Sequence, residues 1–171
     1  MKRNAVAEQR RIHISIPDQR LTLIEGGTPR CSFAVSTAAN GAGEREGSEC
    51  TPRGQHRVAA KIGAGAPVNA VFVARQWTGE IYTPALAASA IGRDWILTRI
   101  VWLAGCEPGR NQGGHVDTLA RYVYLHGTPD SVDLGRPGSR GCVRMRNADL
   151  LDLFDLIEVG TRVDIVDDAS R

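Results

Sequence analysis

Apolar and polar residues alternate with a period of two over much of the chain, the pattern of half-buried strands rather than helices. Ile12, Ile14 and Ile16 alternate with His13 and Ser15, Pro17-Asp18-Gln19-Arg20 offers a turn, and Leu21 to Ile24 resumes the apolar run. Glu25-Gly26-Gly27 then turns the chain into Cys31 to Thr37, so the opening stretch predicts a meander of short antiparallel strands. Residues 38–53 are rich in Gly, Ala, Ser and Glu without periodicity and predict a surface loop, ending at Thr51-Pro52-Arg53-Gly54. Further strands are expected at Gln55–Ile62, Val68–Gln76, Trp95–Leu103 and Arg121–Leu125, the last delivering His126 at its end.

Helical spacing is clear in one place. Asn147 fits an N-cap, Leu150, Leu151, Phe154 and Leu156 to Val159 form an apolar stripe, Asp149, Asp152 and Asp155 sit towards its N-terminal half, and Gly160 ends it. The alanine-rich run from Pro84 to Ile91 fits a short helix or a binding loop equally, and Arg162–Val166 predicts a closing strand. The expectation is therefore a mainly β fold of two packed sheets, with one main C-terminal helix over about 147–159 and a final strand. Its organisation is read as a single domain over residues 11–167 behind a flexible N-terminal segment, residues 1–10.

Composition narrows the class. The 171 residues, 42% hydrophobic and 23% charged, suffice for a core without metal or disulfide staples. A net charge of +2, scattered basic residues and 5% aromatics exclude a base-stacking nucleic-acid surface. No apolar run is long enough to span a bilayer. The start from Met1 to Arg11 is basic but lacks an apolar stretch, so no secretory signal is expected in it. Cys31, Cys50, Cys106 and Cys142 are irregularly spaced and expected to be free thiols. Without a Cys-x-x-Cys or a comparable close pair, neither a metal nor a cofactor is expected.

The candidate chemistry lies at positions 126 and 142. Ser139-Arg140-Gly141-Cys142-Val143-Arg144-Met145 follows His126-Gly127-Thr128-Pro129 across a Gly- and Pro-rich loop, pairing a thiol with a base. A cysteine attacks as thiolate, so its site must favour deprotonation and leave the sulfur accessible. In an extended segment Arg140 and Arg144 share the face of Cys142, which predicts an electropositive pocket. Cys31, Cys50 and Cys106 lack a nearby base and are expected to be inert.

The run Arg121-Tyr122-Val123-Tyr124-Leu125-His126-Gly127-Thr128-Pro129, then Gly135-Arg136-Pro137, then Ser139 to Met145, resembles the L,D-transpeptidase catalytic (YkuD-type) domain. The resemblance extends upstream to Thr51-Pro52-x-Gly54 and Gly105-x-Glu107-Pro108-Gly109-x-Asn111-x-Gly113-Gly114. Downstream it takes in Asn147-x-Asp149, Leu153-Phe154 and Gly160-Thr161-x-Val163, covering the chain from about residue 11 to residue 167. It implies an L,D-transpeptidase-like β-sandwich of two mixed sheets. It also implies acyl transfer on peptidoglycan stem peptides in cell-wall biogenesis and cell shape, with diaminopimelate-containing stems as partners and carbapenems as covalent inhibitors.

By the same resemblance Cys142 is the nucleophile and His126 the general base and acid, oriented by the Gly127 carbonyl. Backbone N–H groups near Arg140, Gly141 and Cys142 would form the oxyanion hole, and Arg144, Ser139, Tyr124 and Thr128 would contact substrate. Cys106–Thr118 is read as a substrate-cleft loop. One position departs from the pattern: the family most often has histidine where this chain has Arg140, which cannot serve as a base. Water as acceptor, giving an L,D-carboxypeptidase, and a catalytically weakened wall-binding domain are the alternative readings. The implied substrate belongs to the bacterial periplasm or cell envelope.

Overall fold

The computed structural model describes residues 9–168, so the expected flexible segment lies outside them except for Gln9 and Arg10, and Arg10 already belongs to the first strand. Ten strands follow in order: β1 Arg10–Ser15, β2 Arg20–Glu25, β3 Thr28–Ser36, β4 Gly54–Ile62, β5 Ala70–Val73, β6 Gln76–Ile81, β7 Ile96–Gly105, β8 Tyr124–Thr128, β9 Val143–Arg146 and β10 Arg162–Val166. The described residues also hold two α-helices, α1 Pro84–Ser89 and α2 Asn147–Leu156, and a 3-10 turn at Gly114–Val116.

The mainly β class and the single long helix match the sequence reading, but the two separate sheets do not. One continuous sheet runs β4-β10-β1-β2-β3-β9-β8-β7, and β7 pairs back onto β4, so these strands close on themselves. Closure leaves none of them with a free edge, and irregularities in β4 at Val58/Ala60 and β7 at Leu97/Ile100 supply local bending. The sheet is mixed: β1 with β10 and β8 with β9 are parallel, the remaining pairs antiparallel. Its interior is apolar because alternate residues point inward. Ile12 and Ile14 of β1, Leu21 and Leu23 of β2, Val101 and Leu103 of β7, and Val163 and Ile165 of β10 form one core with Leu150, Leu153 and Phe154 of α2.

Three differences in element boundaries from expectation have a clear physical cause. The run Val68–Gln76 is a hairpin, β5 turning into β6 through Ala74 and Arg75, both at positive φ (48° and 64°). That pair of angles defines a type I′ turn, normally signalled by Asn-Gly, so a turn of Ala and Arg is invisible to sequence pattern. The β8 strand starts late, because Asp117 accepts the Ala120 N–H and its carbonyl the Arg121 N–H, holding residues 117–122 in a turn. His126 consequently sits mid-strand. The last helix ends at Leu156 rather than 159, and Asn147 is its first residue, not its cap, because its side chain is occupied elsewhere. The ambiguous alanine-rich run is helical, with Thr83 Oγ1 accepting the Leu86 N–H (3.0 Å) and Pro84 opening the first turn.

Candidate active site

Strands β8 and β9 are parallel neighbours in the register Leu125↔Val143 and His126↔Arg144. Alternation sends Leu125, Val143 and Met145 into the core, and Tyr124, His126 and Arg144 to the opposite face. Cys142, immediately before β9, continues that face. The four residues line one pocket of about 290 Å3, shared with Arg75, Asp94, Arg121 and Arg140.

His126 is almost wholly buried, and its Nδ1 lies 2.7 Å from the Gly127 carbonyl oxygen. A carbonyl only accepts, so Nδ1 carries the proton and Nε2 is left with a free lone pair. Burial pushes the imidazole pKa below its ordinary value, against the opposing pull of the Gly127 carbonyl and Asp94. Cys142 Sγ accepts the Tyr124 N–H at 3.3 Å, and the thiol faces the Tyr122 carbonyl at 3.5 Å. Burial pushes the thiol up to about 12, outweighing the Tyr124 N–H and the charges of Arg144 and Arg121, which act the other way. Burial therefore favours the neutral form of both the thiol and the imidazole at rest. The electropositive environment is present, but desolvation is the larger effect.

The loop carrying Cys142 is pinned from several sides. Ser139 Oγ donates to the Cys142 carbonyl and accepts the Gly141 N–H (3.2 Å). Gly141 adopts φ 128°, a left-handed conformation disfavoured for other residues, and a Cβ there would lie 3.3 Å from the Cys50 carbonyl oxygen. Buried Thr51 donates through Oγ1 to the Gly141 carbonyl (3.0 Å) and accepts the Ala38 N–H (2.9 Å). Arg121 donates to the carbonyls of Cys50 (2.7 Å) and Gly43 (3.3 Å). Residues 38–53 thus form a buttress behind the cysteine loop rather than a free surface loop. Since Gly141 N–H is engaged by Ser139, the N–H groups of Arg140 and Cys142 are the remaining candidates for stabilising an oxyanion.

A second set of contacts supports the histidine. Thr98, at φ 75° where β7 is irregular, donates from Oγ1 to Asn147 Oδ1 (2.8 Å) and accepts the Asn69 N–H (3.0 Å). Asn147 Nδ2 donates to Asn69 Oδ1 (3.0 Å) and to the Thr128 carbonyl (3.1 Å). A side chain at Gly127 would collide with Asn147 Oδ1 and the Leu97 carbonyl, so only glycine fits beside His126.

The other expected site residues divide. Tyr124 is in the pocket, its hydroxyl accepting Arg75 Nη1 (3.1 Å). Arg144 reaches it too, but is paired with Asp94 (3.3 Å) and donates to the Gly138 carbonyl (3.0 Å). Arg140 lies on a bend before β9 rather than in extended chain, so alternation does not govern it, and it stands exposed at the rim. Thr128 is turned away, lining a separate recess with Pro129, Asp130 and Arg146. Residues 106–118 do not line the Cys142 pocket. Glu107 Oε2 accepts the Gln55 N–H (2.8 Å), and Asn111 Nδ2 donates to the carbonyls of Arg53 (3.0 Å) and Gln55 (3.1 Å), so this segment fixes the start of β4. Sequence reasoning missed Arg75, Asp94, Arg121 and Thr51 as parts of the site. Arg121 and Thr51 lay inside quoted motifs, whereas Arg75 and Asp94 carried no local signal. All four cysteines are free.

Comparison with known proteins shows the family and the fold. The YkuD family, described as the L,D-transpeptidase catalytic domain, matches residues 9–165. The probable L,D-transpeptidase YbiS of Escherichia coli is 30% identical over 112 residues, which are 65% of this chain and 36% of that protein. The structure of Bd1075 from Bdellovibrio bacteriovorus shares the fold, with TM-score 0.60 at 16% identity over 98% of this chain and 50% of that one. So does L,D-transpeptidase 3 from Mycobacterium tuberculosis, solved with a faropenem-derived adduct, with TM-score 0.55 at 15% identity over 92% of this chain and 60% of that one. The match spans less than half the length of the curated relatives.

Proposed function

The chain belongs to the L,D-transpeptidase catalytic domain family, and from that premise we propose that it is a cysteine acyltransferase acting on peptidoglycan stem peptides, with residues 11–167 as its catalytic unit. The observation carrying this reading is that Cys142, just before β9, and His126, on the neighbouring β8, line one pocket, with His126 Nε2 left free by the bond from Nδ1 to Gly127.

The neutral resting pair sets the order of events. His126 Nε2 takes the Cys142 proton as sulfur attacks the carbonyl of the L-centre residue, diaminopimelate, of a donor tetrapeptide. The oxyanion is met by backbone N–H groups at Arg140 and Cys142. Collapse breaks the amide bond, and the imidazolium protonates the departing amine of D-Ala, leaving a thioester on Cys142. An acceptor amine then loses a proton to His126, attacks the thioester and restores the thiol. The Gly127 carbonyl stabilises the transient imidazolium. Phe72, Ile96 and Ile100 give the pocket an apolar side beside its arginines.

Incubation with a disaccharide tetrapeptide and mass analysis of the products tests the proposal. Cross-linked dimer with release of D-Ala supports transfer, tripeptide alone identifies a carboxypeptidase, and intact substrate with folded protein contradicts both. Cys142→Ala must abolish either activity. A carbapenem is expected to acylate Cys142, read as an adduct by intact mass that the same substitution removes.

A further inference from the structure

Four arginines line the Cys142 pocket, against a single acidic residue, Asp94. Two are satisfied by the protein: Arg144 by Asp94 and the Gly138 carbonyl, Arg121 by the carbonyls of Cys50 and Gly43. Arg75 and Arg140 have no carboxylate partner among the described residues. Arg140 is exposed on a bend. Arg75, by contrast, is held in place, its guanidinium 4.7 Å from the Tyr122 ring centroid and 5.1 Å from that of Trp102, with Nη1 donating to Tyr124 Oη.

Such a guanidinium is oriented before any ligand arrives. Cation–π contact with two rings and the bond to Tyr124 restrict it, and one of its five N–H donors is used on a neutral oxygen, leaving the remainder for a carboxylate without loss of an existing ion pair. Its backbone also departs from what its residue type prefers. Ala74 and Arg75 both hold positive φ in the two-residue turn, a conformation that Asn-Gly would adopt more readily. The turn thus sets an arginine over the cysteine pocket at a conformational cost.

We infer that Arg75 is a specificity residue of this pocket, taking a free carboxylate of the donor peptide beside the carbonyl that Cys142 attacks. The inference rests on the proposed acyl-transfer reading. It assigns substrate anion recognition to the β5–β6 turn rather than to Arg144, whose charge Asp94 already meets. The ligand chemistry is a carboxylate, which a stem peptide offers from the side chain of its third residue and from its C-terminal D-Ala.

Three synthetic donors separate these sources: the free tetrapeptide, the same peptide with the third side chain as carboxamide, and the same peptide with the C-terminus as carboxamide. For the intact chain, kcat/KM should fall on the order of tenfold or more with one of the two amides, chiefly through KM, consistent with the loss of a charge-assisted hydrogen-bonded pair. Arg75→Met, which keeps an unbranched stem against Trp102 and Tyr122, should treat that amide and the free peptide alike, and Arg75→Lys should recover part of the difference. Binding of the same peptides to Cys142→Ala, with and without Arg75→Met, gives the preference independently of turnover. Neither amide being discriminated against, or a preference surviving Arg75→Met, overturns the inference. An equal loss on all three donors does so too, since it marks Arg75 as structural. Failure of the intact chain to release D-Ala from any donor counts against the acyl-transfer reading instead, and the binding comparison still decides the role of Arg75.

Discussion

At the level of single residues, the site is governed by burial more than by charge. Cys142 has cations near it, yet its thiol is pushed up to about 12 because desolvation of a thiolate outweighs them. Alkylation of Cys142 by iodoacetamide should therefore accelerate about tenfold per pH unit from 7 to 10 without a plateau. A plateau near neutrality would show a preformed thiolate–imidazolium pair and contradict this account. Thr51 makes a second test. Its hydroxyl joins the cysteine loop to residue 38, and Thr51→Val leaves the Gly141 carbonyl and the Ala38 N–H without it. The expected loss is about 1–3 kcal/mol, measured by urea unfolding, with a fall in kcat larger than any rise in KM. In the sequence, Cys142 and His126 stood out as a thiol and a base within one local motif, and the Gly127 carbonyl entered only through the resemblance that this motif carries. The sequence did not make Asp94 or Arg75 legible, because each reaches the pocket only through a tertiary contact from outside the motif.

Among elements, pairing geometry carries what periodicity omits. Alternation in β8 and β9 says which side chains share a face, but only their parallel register brings Cys142 to the Tyr124 N–H and into one pocket with His126. The irregularity of β7 is equally local in origin and remote in effect. Thr98 at φ 75° reaches Asn147, which in turn fills the space beside Gly127. Asn147 reads as a helix cap in sequence because capping and buried hydrogen bonding draw on the same side chain. The β5–β6 turn offers a prediction at this scale. Ala74→Asn places in the left-handed region a residue that tolerates it, and should raise stability by about 0.5–1 kcal/mol in chemical denaturation. Unchanged or reduced stability would mean that the turn is not strained.

For the molecule as a whole, the alternating pattern announced strands and a mainly β class, but not closure. Nothing in the composition of β4 or β7 says that they pair, since either would be equally half-buried at a sheet edge. Stability against acid is also a property of the whole fold. Buried His56 donates from Nδ1 to the Gly54 carbonyl (3.0 Å), accepts Thr118 Oγ1–H at Nε2 (2.9 Å), and its pKa is lowered from 6.5 to about 4 by burial. The unfolded chain binds this proton below pH 6.5, whereas the folded one resists it down to about 4, so stability is lost as the pH falls through that window. The loss should reach about 3 kcal/mol from His56, with His126 contributing in the same direction. Urea midpoints at pH 7, 5.5 and 4 measure it, and a flat profile would show that neither histidine is buried neutral. The central claim, that Cys142 forms an acyl-enzyme with a stem peptide, is met most directly by intact-mass analysis of the protein quenched during turnover of a tetrapeptide donor. The account predicts an adduct equal to the donor less D-Ala, present on the unaltered chain and absent from Cys142→Ala. An adduct that persists in that variant, or turnover with no covalent species at Cys142, would contradict it.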